Sequence, residues 1–172
     1  MPASAVAAAR ESAARKGREG WRLTLQAPSY HAAMTYLDDG AVRERMYRAH
    51  TTRAAGGALD NRENARRILE LRCDKAKLLG YADWADFVLE DRMVKTGARA
   101  WAFLEELRDR TRAAFQRENE ELMAFRRELE GPEAPPLEPW DIGYYAEKLR
   151  KARFDFQEED LRPYFPMERV VA

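Results

Sequence analysis

The stretch Gly97–Glu130, GARAWAFLEELRDRTRAAFQRENEELMAFRRELE, decides the fold. Trp101, Leu104, Leu107, Thr111, Phe115, Leu122, Phe125 and Leu129 trace one apolar stripe at helical spacing, with charged residues between them. The pattern predicts one helix over about 97–130. At about 1.5 Å per residue it is about 50 Å long, more than a domain of this size usually carries. GPEAPPLEP follows at 131–139, and its four prolines end the helix. They read as a stiff connector within one domain.

Beyond the connector, LEPWDIGYYAEKLRK (137–151) starts another helix near Trp140. Asp141 is placed to cap its first free backbone donors, and its charge suits the positive end of the helix dipole. Trp140 and Tyr145 take the N′ and N4 positions of a hydrophobic staple. Leu149 continues the stripe from Tyr145, and Lys148, Arg150 and Lys151 crowd toward the far end. Tyr144 is left over, with a core position and a peptide- or base-stacking role both open to it. DFQEEDLRPYFP adds one short turn, and MERVVA begins an apolar run.

Upstream of the long helix the same reading gives mostly helix. Pro2 and the Ala-rich run after it start a first helix that ends near Gly17. YHAAMTYLDDG and AVRERMYRAHTTRA form two short helices separated at Gly40. Asp60 or Asn61 caps a helix running to Leu79, and Gly80 suits its C′ position. YADWADFVLEDRM is another short helix, with Trp84, Phe87 and Val88 on one side. GWRLTL alone alternates as a strand does, over about 21–25. It has no pairing strand in the sequence, so part of its sheet is expected outside it. The expected class is mainly α, a multi-helix single domain over 1–172 with at most one short strand.

Composition narrows the function. The 172 residues are 45% hydrophobic and 10% aromatic, enough for an ordered core. Thirty basic residues balance thirty acidic ones, which argues against nucleic acid or an anionic membrane as partner. The basic cluster Arg10, Arg15, Lys16, Arg18 and Arg22 does not alter that balance. Runs such as RRILELRCDKAK read as solvated helix faces. No apolar run approaches the ~20 residues of a membrane span. The N-terminal ASAVAAARESAARKG resembles a transit peptide in composition, but Glu11 and Glu19 favour a folded helix. The one cysteine, Cys73, excludes an internal disulfide and points to a reducing, cytoplasmic setting. It falls in register with Ala65, Leu69, Ala76 and Leu79, which predicts a buried structural thiol rather than a nucleophile.

Chemistry is sparse. The two histidines, His31 and His50, have no second ligand at helical spacing. Phosphate-binding loops and nucleophile elbows are absent from the sequence. Glu105/Glu106 and Glu120/Glu121 sit among arginines as ion-paired faces. The residues alone yield no catalytic constellation and no metal ligand.

Four ordered blocks nevertheless carry a resemblance. GWRLTLQAPSYHAAMTYLDDGAVRERMYRAHTTRA, ILELRCDKAKLLGYADWADFVLEDRM, WDIGYYAEKLRKARFDF and LRPYFPMERVV resemble the thimet-oligopeptidase family of zinc metallopeptidases. Within it they are most similar to the oligopeptidase A and dipeptidyl carboxypeptidase branch. The resemblance implies a helical two-lobed shell around a channel for short, unstructured peptides. It also implies zinc held by an HExxH helix and a downstream glutamate. This sequence has no HExxH, so no catalytic or metal-binding residue carries over. The implied role is an internal segment, a channel wall inactive alone, whose partners are the rest of the peptidase and its peptides. A stand-alone helical interaction module, with possible self-association, is the alternative expectation.

Overall fold

The computed structural model describes residues 1–154 and 164–166. The turn expected over 155–166 lies mostly outside them, and the run at 167–172 wholly outside. The helices are α1 (Ala3–Ala14), α2 (Ala27–Tyr36), α3 (Gly40–Thr51), α4 (Arg62–Leu78), α5 (Trp84–Leu89), α6 (Gly97–Glu130) and α7 (Ile142–Phe154). A 3₁₀ turn, Gly57–Leu59, precedes α4. The chain divides into two units, one of residues 1–51 and 120–172, the other of 52–119.

In the first unit α2 packs on α1, α3 and α7. Ala33 of α2 is fully buried, and Ala9, Ala13, Met46, Tyr144 and Tyr145 complete a small core. Small residues let the helices approach closely: a Cβ on Gly143 would stand 3.7 Å from the Met34 carbonyl oxygen. Pro2 precedes α1 as expected, and Pro28 occupies the first turn of α2, where no backbone donor is lost. Asp39 accepts from the Val42 amide at 3.0 Å and caps α3.

The strand signal at 21–25 did not become a strand, and among the described residues there is none. The segment lies along α1 instead. The Arg22 amide donates to the Ala9 carbonyl at 3.0 Å, and the Arg22 guanidinium reaches Ser12 Oγ at 3.0 Å. The Thr24 amide donates to Ser29 Oγ at 2.8 Å. With those donors satisfied locally, the alternation of Trp21, Leu23 and Leu25 needs no ladder, and Trp21 is left 63% exposed.

In the second unit α4 packs on α5. Gly80, at φ +85°, ends α4 as the sequence predicts. Its amide donates to the Lys77 carbonyl and the Tyr81 amide to the Ala76 carbonyl, both at 3.0 Å. That is the Schellman pattern, and it closes over the fully buried Ala76. Asn61 holds the cap position of α4 without a side-chain cap bond, while Asp60 grips Arg62. Asp83 caps α5 through the Asp86 amide at 2.9 Å, and Phe87 sits against Tyr81 and Trp84. Asp86 in turn accepts from the Gly97 amide at 2.8 Å, which fixes the start of α6.

Cys73 corrects an expectation. It is exposed, not buried. The register that predicted burial is real, but Leu69 and Leu79 on the same face are 61% and 51% exposed, and only Ala76 is covered. Periodicity defines an apolar face; it does not supply the element that covers it.

Candidate functional site: a buried arginine–aspartate hub

The most organised polar cluster of the molecule joins the α2–α3 corner to the start of α7. Arg43, Arg126 and Asp141 are all buried, at 3%, 8% and 5% exposure. Charges seldom go this far inside unless they are paired. Here the Arg43 Nη2 donates to Asp141 Oδ1 at 2.6 Å, and the Arg126 Nη1 to Asp141 Oδ2 at 3.1 Å. One carboxylate thus holds two guanidinium groups, one on each oxygen.

The rest of each guanidinium is also used. Arg43 Nη1 donates to the Leu37 carbonyl at 2.6 Å and to the Asp38 carbonyl at 3.1 Å; its Nε reaches the Trp140 carbonyl at 3.1 Å. It therefore ties the C-terminal end of α2 to the turn before α7. Arg126 bonds Glu130 Oε2 at 2.9 Å and the Pro136 carbonyl at 3.2 Å, so the proline connector is pinned from inside. Among the described residues no buried side-chain nitrogen or oxygen lacks a partner.

Two tyrosines line the hub. The Tyr145 hydroxyl donates to Glu130 Oε1, and the Arg126 guanidinium lies 5.0 Å over its ring. The Tyr144 hydroxyl donates to Asp38 Oδ1 at 2.6 Å, with Arg43 4.0 Å over its ring. The Tyr145 hydroxyl bond holds Glu130 below the usual carboxylate range, aided by Arg126. Tyr144 does the same for Asp38, aided by Lys148. Burial pushes both phenols up, reinforced by the acids that accept from them. Protonated phenols and ionised acids lock each other in place. The cluster is built to hold backbone, not to pass protons.

Asp141 was read from sequence as the cap of α7. It does stand just before Ile142, and the Tyr145 amide bonds its carbonyl at 3.0 Å. Its carboxylate, however, takes the two arginines and the Glu138 amide at 3.3 Å. Trp140 lies against Tyr47, at 5.8 Å between rings, and under Arg48, where the sequence reading placed it against Tyr145. Tyr144, left open between core and stacking roles, is 8% exposed and belongs to the core. Arg43 and Arg126 carried no sequence signal, since neighbouring arginines of the same composition are solvated.

Two cavities adjoin the hub. One of about 370 Å³ is lined by Arg43, Arg126, Glu130, Pro136, Trp140 and Asp141 among others. A groove of about 750 Å³ runs between α1, α2 and α7, with Asp38, Tyr144 and Lys148 on its polar side. The histidines lie elsewhere in the same unit: His50 stacks on Tyr30 at 4.1 Å, and His31 meets that ring edge-on. Among the described residues no group of three His, Cys, Asp or Glu side chains is arranged to hold a metal ion. The zinc implied by the resemblance finds no such set of ligands among the described residues. No described helix is long and apolar enough to cross a membrane.

Comparison with known proteins gives the class of this mainly helical chain. The sequence profile of Peptidase family M3 matches residues 33–172, and the chain belongs to that family. Oligopeptidase A of Haemophilus influenzae is 39% identical over 177 residues, covering 100% of this chain and 26% of that protein. Oligopeptidase A of Salmonella typhimurium is 42% identical, covering 99% of this chain and 26% of its own length. Dipeptidyl carboxypeptidase of Escherichia coli is 33% identical, covering 99% and 25%. The chain spans about a quarter of the length of these relatives.

Proposed function

We propose that this chain is a scaffold segment of a cytoplasmic, zinc-dependent oligopeptidase, a helical wall of its peptide channel without hydrolytic activity by itself. The observation that carries this reading is the match along 99% of the chain to a quarter of Oligopeptidase A. The missing HExxH and the lack of a metal-holding cluster among the described residues agree with it. In this reading zinc and the water-activating glutamate belong to the remainder of the enzyme, which is the chain's main partner. Short peptides meet the chain only in the complete enzyme. The chain contributes a wall braced by Arg43, Asp141 and Arg126. The single cysteine supports the cytoplasmic setting.

The test is cleavage of a fluorescence-quenched peptide by the purified 172-residue chain with added zinc. No turnover above a metal-free control is expected. Turnover abolished by a chelator would overturn the claim of inactivity. Sequencing of the adjoining DNA tests the other half: an in-frame HExxH region supports a segment of one enzyme, and its absence there counts against it.

A further inference from the structure

The second unit, residues 52–119, buries a single residue, Ala76. Its large apolar side chains are exposed instead, and they stand on opposite sides of the same helices. On α4, Leu69 and Leu78 are 61% and 88% exposed and nine positions apart. At about 3.6 residues per turn they face opposite ways. On α6, Trp101 at 64% and Phe103 at 60% lie on nearly opposite sides, and Phe115 at 65% repeats the Trp101 side. Leu122, in the same stripe but in the first unit, is half-buried. Helices in proteins are held chiefly by burying a face, so a unit with one buried residue has almost no core of its own.

We propose that the apolar groups of α4 and α6 in this unit form an interface, enclosed from opposite sides by the remainder of the peptidase. Two observations select that occupant. A second copy related by a two-fold axis presents one patch to the same patch, and so covers one side of a helix. Here both sides are bare, and helices with apolar groups on opposite faces belong to the interior of large proteins. Most of the length of the relatives lies outside the part that this chain matches, which supplies a body large enough to reach round. The contacting surface of that remainder is apolar, because a charge set against Leu78 or Phe115 would be desolvated without a partner. The inference rests on the reading of the chain as a segment of a longer enzyme, and adds which surface the rest of that enzyme holds.

The test compares the enzyme encoded by the complete reading frame with the 172-residue chain, each carrying Leu69→Cys, Leu78→Cys or Phe115→Cys singly. Alkylation by iodoacetamide is read at the introduced cysteine by peptide mass spectrometry. All three sites should react readily in the 172-residue chain and at least about tenfold more slowly in the long enzyme. Peptide turnover by the long variants verifies that they fold. Hydrogen exchange of the unsubstituted proteins needs no variant, and should show the α4 and α6 amides at least about tenfold better protected in the long enzyme. Equal rates in the two forms, or protection on one side of α4 alone, overturns the inference. So does protection in the 172-residue chain that grows with its concentration, the sign of a second copy. A reading frame that stops with no HExxH region defeats the segment reading and this inference with it, and is seen in the DNA before any labelling.

Discussion

Asp141 Oδ1 accepts a 2.6 Å hydrogen bond from Arg43, a residue 98 positions earlier in the chain, and both side chains are buried. The pair joins the two sequence-distant parts of its unit. A buried ion pair contributes little against a well-packed apolar substitute, because desolvation offsets most of the attraction. Removing one partner is different, since the other charge stays buried without compensation.

Asp141→Ala should therefore destabilise by about 3–5 kcal/mol, as it leaves Arg43 buried without a carboxylate and Arg126 with Glu130 alone. Asp141→Asn keeps the size and should still lose most of that stability. Chemical denaturation of the three proteins measures it. A loss under about 1 kcal/mol for both variants would show that the hub is not what secures the α7 start.

Stability should fall as acid is added below about pH 4.5. Asp38 and Glu130 have folded values held under their ordinary 3.8 and 4.5, so there the unfolded chain binds more protons and stability rises with pH. What these acids contribute is present above their unfolded values and lost as pH drops through the folded ones. Both carboxylates are partly open to solvent, which limits the size of the effect. The phenols work at the other end. Tyr144 and Tyr145 ionise above the ordinary 10.0, so their contribution is intact below pH 10 and lost as pH rises through the folded values. Thermal melts from pH 3 to 11 test both limbs, and Tyr145→Phe should flatten the alkaline one.

Gly80→Ala should cost about 1 kcal/mol, because φ +85° is left-handed backbone that a Cβ resists. No atom within 4 Å would meet the new methyl group, so strain alone is measured. An unchanged denaturation midpoint would contradict the positive φ.

Cys73, exposed on α4, should react with a chromogenic thiol reagent in the native protein, with no denaturant needed. Reaction only after addition of denaturant would restore the buried thiol that periodicity suggested.

Much of the helical order was legible because it is written locally. The bounds of α6 follow from its stripe and from the prolines after it, and the end of α4 from Gly80. Three features were not legible, for one shared reason. Whether Cys73 is covered, whether 21–25 finds a pairing strand, and whether Arg43 and Arg126 are buried all depend on groups distant in sequence. Arg43 and Arg48 lie on one short helix with similar neighbours, yet one is 3% exposed and the other's side chain 63%. Asp141 was singled out as a cap of α7, but its carboxylate takes Arg43 and Arg126 instead, a long-range role with no local signal.

The division of the chain has a consequence for the order in which it folds during synthesis. Residues 52–119 form one continuous stretch, so that unit has all its contacts available as soon as it is made. The other unit is split around it, and Arg43 must wait until Asp141 has been added. At roughly 5–20 residues per second that wait lasts about 5–20 s, long against the formation of a helix. Through that interval Arg43 lacks its carboxylate partner, and α2 lacks the α7 helix that packs on it. During that wait the nascent N-terminal half is open to chaperones and proteases, until α7 is made and packs on α2.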